Sequence, residues 1–91
     1  MDVQRAVAGA TNYLRALYGG AVDDVLLEEV ERTPAGAQWL VTLSFTRPGV
    51  VTRDAITKAL GLPDTAYRYY KVFTIDDGTG EVTAMKIRQS A

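Results

Sequence analysis

The chain contains no cysteine and no histidine. Without cysteine there are no disulfides, no thiolate metal sites and no cysteine nucleophile. Without histidine, the commonest general base and the commonest transition-metal ligand are both missing. Charge of one sign is lacking too, with ten basic against eleven acidic residues. That near balance argues against a dedicated nucleic-acid binder, which carries a marked basic excess. No stretch reaches the roughly 20 apolar residues a membrane helix requires. Met1-Asp2-Val3-Gln4-Arg5 lacks the basic flank and apolar run of a signal peptide. The expectation is therefore a cytoplasmic protein with no membrane partner and no nucleic-acid partner.

What is present fits one small domain over residues 1–91, with 47% hydrophobic residues and a single tryptophan. Asp2 is placed to cap a helix. Val3, Ala6, Val7, Ala10, Leu14, Leu17 and Tyr18 then recur at helical spacing as one apolar stripe. Gly19-Gly20 ends that helix, since glycine takes the left-handed cap without a Cβ penalty. The small residues Ala6 and Ala10 predict close approach to a sheet.

Residues 22–33 read as a strand whose far end, Glu28-Glu29-Val30-Glu31, is acidic, as suits a sheet edge. Thr33-Pro34-Ala35-Gly36-Ala37 is a turn by composition. Residues 38–47 show the cleanest alternation. Trp39, Val41, Leu43 and Phe45 point to a buried face, and Thr42, Ser44 and Thr46 to a wet one. Residues 48–65 interrupt the sheet, with a short helix predicted over 53–60, capped by Thr52 and stopped by Gly61 and Pro63.

Residues 67–88 read as a hairpin around Asp76-Asp77-Gly78-Thr79-Gly80. Pairing Ile75 with Val82 sets Val72 opposite Met85 and Tyr70 opposite Ile87 as an apolar, helix-facing surface. The same register sets Tyr69 opposite Arg88, Lys71 opposite Lys86 and Phe73 opposite Ala84 on the outer one. Like charges directly across a strand pair are unfavourable, so Lys71 and Lys86 would welcome an acidic partner. Aromatic and arginine side chains are frequent interface anchors. Tyr69, Lys71, Phe73, Lys86 and Arg88 are therefore the candidate partner-binding residues.

Enzymatic signatures do not emerge. Asp76-Asp77-Gly78-Thr79-Gly80-Glu81 has the acidic residues of a calcium loop but neither its twelve-residue span nor its flanking helices. Asp and Gly are also what tight turns select, and a plain hairpin turn is the preferred reading. Ser44, Ser90 and the threonines have no GxSxG or SxxK context. The expectation is a non-enzyme with no cofactor and no metal.

The order helix, strand, strand, strand, strand, with an alanine-rich helix ending in Tyr18-Gly19-Gly20, resembles PepSY-like domains. The segment Tyr70-Lys71-Val72-Phe73-Thr74-Ile75-Asp76-Asp77-Gly78-Thr79-Gly80-Glu81-Val82 carries most of that resemblance. Such units close with a strand, an Asp-containing turn reading Thr-Gly-Glu-Val, and a final strand. The resemblance implies a cystatin-like layout, a curved antiparallel sheet wrapped on one helix. It also implies a non-catalytic role, such as restraining a peptidase or binding another protein. It carries over no functional residue, because the matching positions are fold-forming ones.

The expected fold is α+β, one N-terminal helix on a four-stranded antiparallel sheet, with a helical insertion between strands 2 and 3. The expected function is protein or peptide binding. A homodimerising domain, or a small-molecule module with a pocket between the helix and residues 48–65, are the alternatives.

Overall fold

A computed structural model of the chain describes residues 1–47 and 68–88. Helix α1 spans Val3–Tyr18, and a single 3-10 turn follows at Gly19–Ala21. Four strands come next: β1 (Asp23–Arg32), β2 (Gln38–Thr46), β3 (Tyr69–Asp76) and β4 (Val82–Ile87). They form one sheet in the order β1-β2-β3-β4, every neighbouring pair antiparallel. This is the expected α+β architecture. The predicted short helix over 53–60 lies outside the described residues.

Local chemistry accounts for the element ends. The Asp2 carboxylate accepts from the Arg5 backbone N–H at 2.8 Å and satisfies one of the helix's orphan donors. Gly19, at φ +58°, donates back to the Arg15 carbonyl and closes the last turn. Between β1 and β2, the Thr33 and Gln38 backbones pair at 2.9 Å, while the Thr33 hydroxyl takes a bond from the Gln38 N–H. Between β3 and β4, the Asp76 carboxylate accepts from the Thr79 N–H at 2.8 Å. These acids and hydroxyls replace backbone partners that the tight turns leave unmet.

The core lies between α1 and the two central strands. Ala6, Ala10 and Leu14 of the helix meet Trp39, Val41, Leu43 and Phe45 of β2 and Phe73 and Ile75 of β3. Two alanines on the inward stripe let the helix backbone approach the sheet. Phe73 fills the space beside them, its ring edge-on to Tyr13 at 6.2 Å. The alternation in β2 therefore places its buried face as expected.

The hairpin is where expectation and structure part. Phe73 pairs with Met85, Val72 with Lys86 and Lys71 with Ile87, one residue displaced from the predicted register. A bulge in β4, where Thr83 is the extra residue between the Thr74–Ala84 and Ile75–Val82 pairs, restores the predicted pairing at the turn. Phe73 and Ile75 are fully buried, whereas Tyr70 is 37% and Ile87 72% exposed. The helix-facing row of β3 is thus Tyr69, Lys71, Phe73 and Ile75, not Tyr70 and Val72. The reason lies in β2: Trp39 pairs with Ile75 and Val41 with Phe73, so the tryptophan face dictates which β3 residues go inside.

The other surface of β2 is not simply wet. Ser44 is fully buried and Thr42 nearly so. The Ser44 hydroxyl donates to Glu28 at 2.8 Å and accepts from Arg68 Nε at 3.0 Å, so charged side chains fold over this face.

A candidate polypeptide-binding edge

A sheet of four strands has two edges, and here they are built differently. Strand β1 carries Asp23, Asp24, Glu28, Glu29 and Glu31. Its pairing with β2 is broken twice, between Asp23 and Leu26 and between Leu27 and Glu29. Asp24 sits at φ +51°, in the left-handed region that side-chain-bearing residues rarely occupy. Arg68 holds it there, with Nη1 2.7 Å from the Asp24 carboxylate and Nη2 donating to the Asp24 carbonyl. Bulges, clustered like charge and an irregular backbone are the devices by which an edge refuses further strands.

Strand β4 has few of them. After the bulge at Thr83, whose hydroxyl bonds the Thr74 carbonyl at 3.3 Å, Ala84 to Ile87 run in regular register. The Arg88 N–H donates to the Tyr70 carbonyl at 3.1 Å. In an antiparallel ladder the inward-bonding residues alternate. The N–H groups of Lys86 and Ala84 therefore also point toward β3, and those of Met85 and Ile87 point away from the sheet. Among the described residues no strand pairs with that side of β4.

Charge separates the edges as well. Lys86 and Arg88 are exposed on the sheet face opposite the helix, and Lys71 lies one strand inward on the helix side. Arg88 Nη2 reaches Glu29 Oε2 at 3.4 Å. Since β1 and β4 are three strand spacings apart, about 14 Å, this bridge crosses the two central strands. Both partners keep about half their side-chain exposure, so the bridge adds little stability and is open to exchange with another carboxylate. Among the described residues Lys71 and Lys86 have no ion pair.

The five predicted partner-binding residues are thus divided between two faces. Phe73 is a core residue and offers no surface. Tyr69 is half-buried on the helix side, stacked on Phe45 at 5.9 Å, with the Arg47 guanidinium 5.8 Å from its ring. Tyr18 closes the same cluster, 6.0 Å from Phe45 and 5.7 Å from Arg47, and this packing caps the end of the sheet where α1 finishes. Lys71 shares the side of Phe73. Only Lys86 and Arg88 lie together on the outer face, beside Tyr70 and Val72. Met85 and Ile87, which the sequence assigns to the core, do face the helix side: Met85 is half-buried against the core, whereas Ile87 is exposed at the edge.

The two hairpin turns are clipped together at the opposite end. Asp77 accepts from the Trp39 indole N–H at 2.7 Å and lies 3.3 Å from Arg32, and its own N–H donates to the Ala37 carbonyl at 2.9 Å. The indole hydrogen bond chiefly holds the Asp77 carboxyl below its ordinary value. Burial opposes this, and the Arg32 and N-terminal charges assist it. Asp76 and Asp77 thus serve the fold, and among the described residues no three acidic side chains gather as a metal site would require. Among these residues no helix is long and apolar enough to cross a membrane.

Fold and edges together define a small α+β domain with one guarded edge and one with which no strand among the described residues pairs. Comparison with known protein families, curated proteins and solved structures gave no match to the chain.

Proposed function

We propose that this chain is a non-catalytic module that binds an extended segment of a protein partner by strand addition along β4. The observation that carries this reading is the asymmetry of the edges: β1 is bulged, acidic and pinned by Arg68, while β4 is regular from Ala84 to Ile87 and basic. Strand addition draws affinity from main-chain hydrogen bonds and specificity from alternate side chains. The outward N–H groups of Met85 and Ile87 are the donors such a segment would take up. The resemblance to PepSY-like units accords with this reading, and restraint of a peptidase is one use to which such an edge could be put. A non-catalytic role accords with Ser44, whose hydroxyl is buried and engaged on both sides and so is out of reach of a substrate.

Self-association fits less well. Pairing two copies through β4 would gather two sets of Lys86 and Arg88, and pairing through β1 would gather ten carboxylates on a twice-bulged strand. The alternative pocket between α1 and residues 48–65 falls outside the described residues.

Ile87→Pro tests the reading. Proline lacks the N–H, and at this position that N–H points away from β3, so the β3–β4 ladder is retained. Panning a random ten-residue peptide library against the wild-type domain should yield binders that Ile87→Pro loses and that Ile87→Thr, which keeps the N–H, only weakens. Binders that survive Ile87→Pro would place the site elsewhere.

A further inference from the structure

The side chains around β4 say more than that a strand could add there. The helix passes over the β3–β4 turn and then over β3, the strand beside this edge. Gly9 lies over the Gly80 carbonyl, 4.0 Å from where its Cβ would stand, and one turn later Tyr13 meets Phe73, the partner of Met85. Four helical residues rise about 6 Å and two strand residues about 6.8 Å. The next step along both therefore brings Leu17 level with Lys71 and its partner Ile87.

At that level the core is open. Leu17 is 55% exposed, and Ile87 is the most exposed large apolar side chain among the described residues. A helix about 10–12 Å wide covers the two central strands but leaves the inner side of an edge strand partly bare. The opposite side of the same strand is polar and cationic, carrying Lys86 and Arg88. Any strand beside β4 has its side chains sorted by this difference, because successive residues face opposite surfaces.

Resting on the strand-addition reading, we infer that the segment bound at β4 alternates apolar and acidic residues. Its apolar side chains complete the core over Ile87 and Leu17, and its carboxylates lie beside Lys86 and Arg88. Charge complementarity chooses the occupant: the acids of the incoming strand take the free Lys86 and exchange with Glu29 for Arg88. A β1 strand from a second copy is acidic but too irregular to supply the alternation, so the occupant is a partner's segment.

Two synthetic heptapeptides test this, Ac-VEVEVEV-NH2 and Ac-VKVKVKV-NH2, titrated against the labelled domain at low salt. The glutamate peptide should bind about tenfold tighter or more, since each exposed charge contact is modest and several reverse together. Lys86→Glu should invert that preference. Leu17→Thr, a change at an exposed helix position, should weaken the glutamate peptide several-fold and leave the domain folded. Equal binding of both peptides, each abolished by Ile87→Pro, would overturn the alternation rule and leave strand addition standing. Binding of neither, while library-selected peptides still lose affinity in Ile87→Pro, has the same consequence. Failure of every peptide, library included, would overturn both readings.

Discussion

Replacing Phe73 by alanine separates two accounts of the third strand more sharply than any other substitution. Phe73 is fully buried, packed edge-on against Tyr13 and paired in register with Val41 and Met85. Truncating a buried phenylalanine costs about 3–5 kcal/mol, a sum of lost transfer energy and the cavity left behind. Of that, roughly 0.5–1.5 kcal/mol belongs to the aromatic pair with Tyr13. At roughly 0.05–0.15 kcal/mol per residue, 91 residues give a total stability of about 5–14 kcal/mol. The variant should therefore lose about a fifth of its stability or more. Tyr70→Ala, three positions earlier in the same strand and on the other face, should cost no more than about 1 kcal/mol. Urea unfolding followed by the emission of Trp39, the single and nearly buried tryptophan, reads both changes. With a urea slope of about 1–3 kcal/mol per molar, a loss of about 4 kcal/mol moves the midpoint by roughly 1–4 M. The reverse ranking, with Tyr70→Ala the costlier change, would refute the assignment of faces.

Two further substitutions test other parts of the framework. The Trp39 indole bond holds the Asp77 pKa below that of an ordinary carboxylate, so the stability it contributes is fully present above the ordinary carboxylate range and lost as pH falls through the folded value. The midpoint difference between wild type and Asp77→Asn should be constant above about pH 5 and should narrow in acid; a difference that widened in acid would contradict the clip between Asp77, Trp39 and Arg32. Arg68 donates to the Asp24 carboxylate, the Asp24 carbonyl and Ser44, and its side chain is only 17% exposed. Arg68→Ala should cost about 1.5–3 kcal/mol in urea unfolding. Arg68→Lys should recover only part of it, since a compact ammonium does not reproduce the guanidinium fork.

Much of the framework is legible in the sequence because each element carries its own punctuation. Asp2 and Gly19 bound the helix, the alternation from Trp39 to Phe45 identifies the buried face of β2, and the acidic run in β1 marks an edge. What failed was the choice of face in β3. Tyr70 and Val72 on one side, and Tyr69, Phe73 and Ile75 on the other, are both apolar enough to face a core. Alternation alone held a warning: Ile75 and Phe73 are two apart and share a face, so turning Phe73 outward also turned Ile75 outward. The bulge at Thr83 hid the answer, because a strand with one extra residue satisfies one register at the turn and another beyond it.

The candidate site suffered from the same error. Five residues chosen as one surface lie on two, and only Lys86 and Arg88 remain together and exposed. Edge position and the direction of backbone N–H groups depend on strand order and register, which no local pattern in residues 82–88 reveals. The ties from Arg68 to Asp24 and Ser44 are equally non-local, linking residues 44 and 24 positions apart in sequence. Burial of Ser44 was hidden because serine in an alternating strand reads as a solvent-facing position unless charged side chains from elsewhere fold over it.

Amide hydrogen exchange within β4, with and without the peptide Ac-VEVEVEV-NH2, tests strand addition most directly. In the free domain the N–H groups of Ala84, Lys86 and Arg88 should exchange slowly through their bonds to β3, while those of Met85 and Ile87 exchange fast. Saturating peptide should slow Met85 and Ile87 specifically and leave β1 unchanged. Protection gained along β1, or peptide bound with Met85 and Ile87 still exchanging freely, would contradict it.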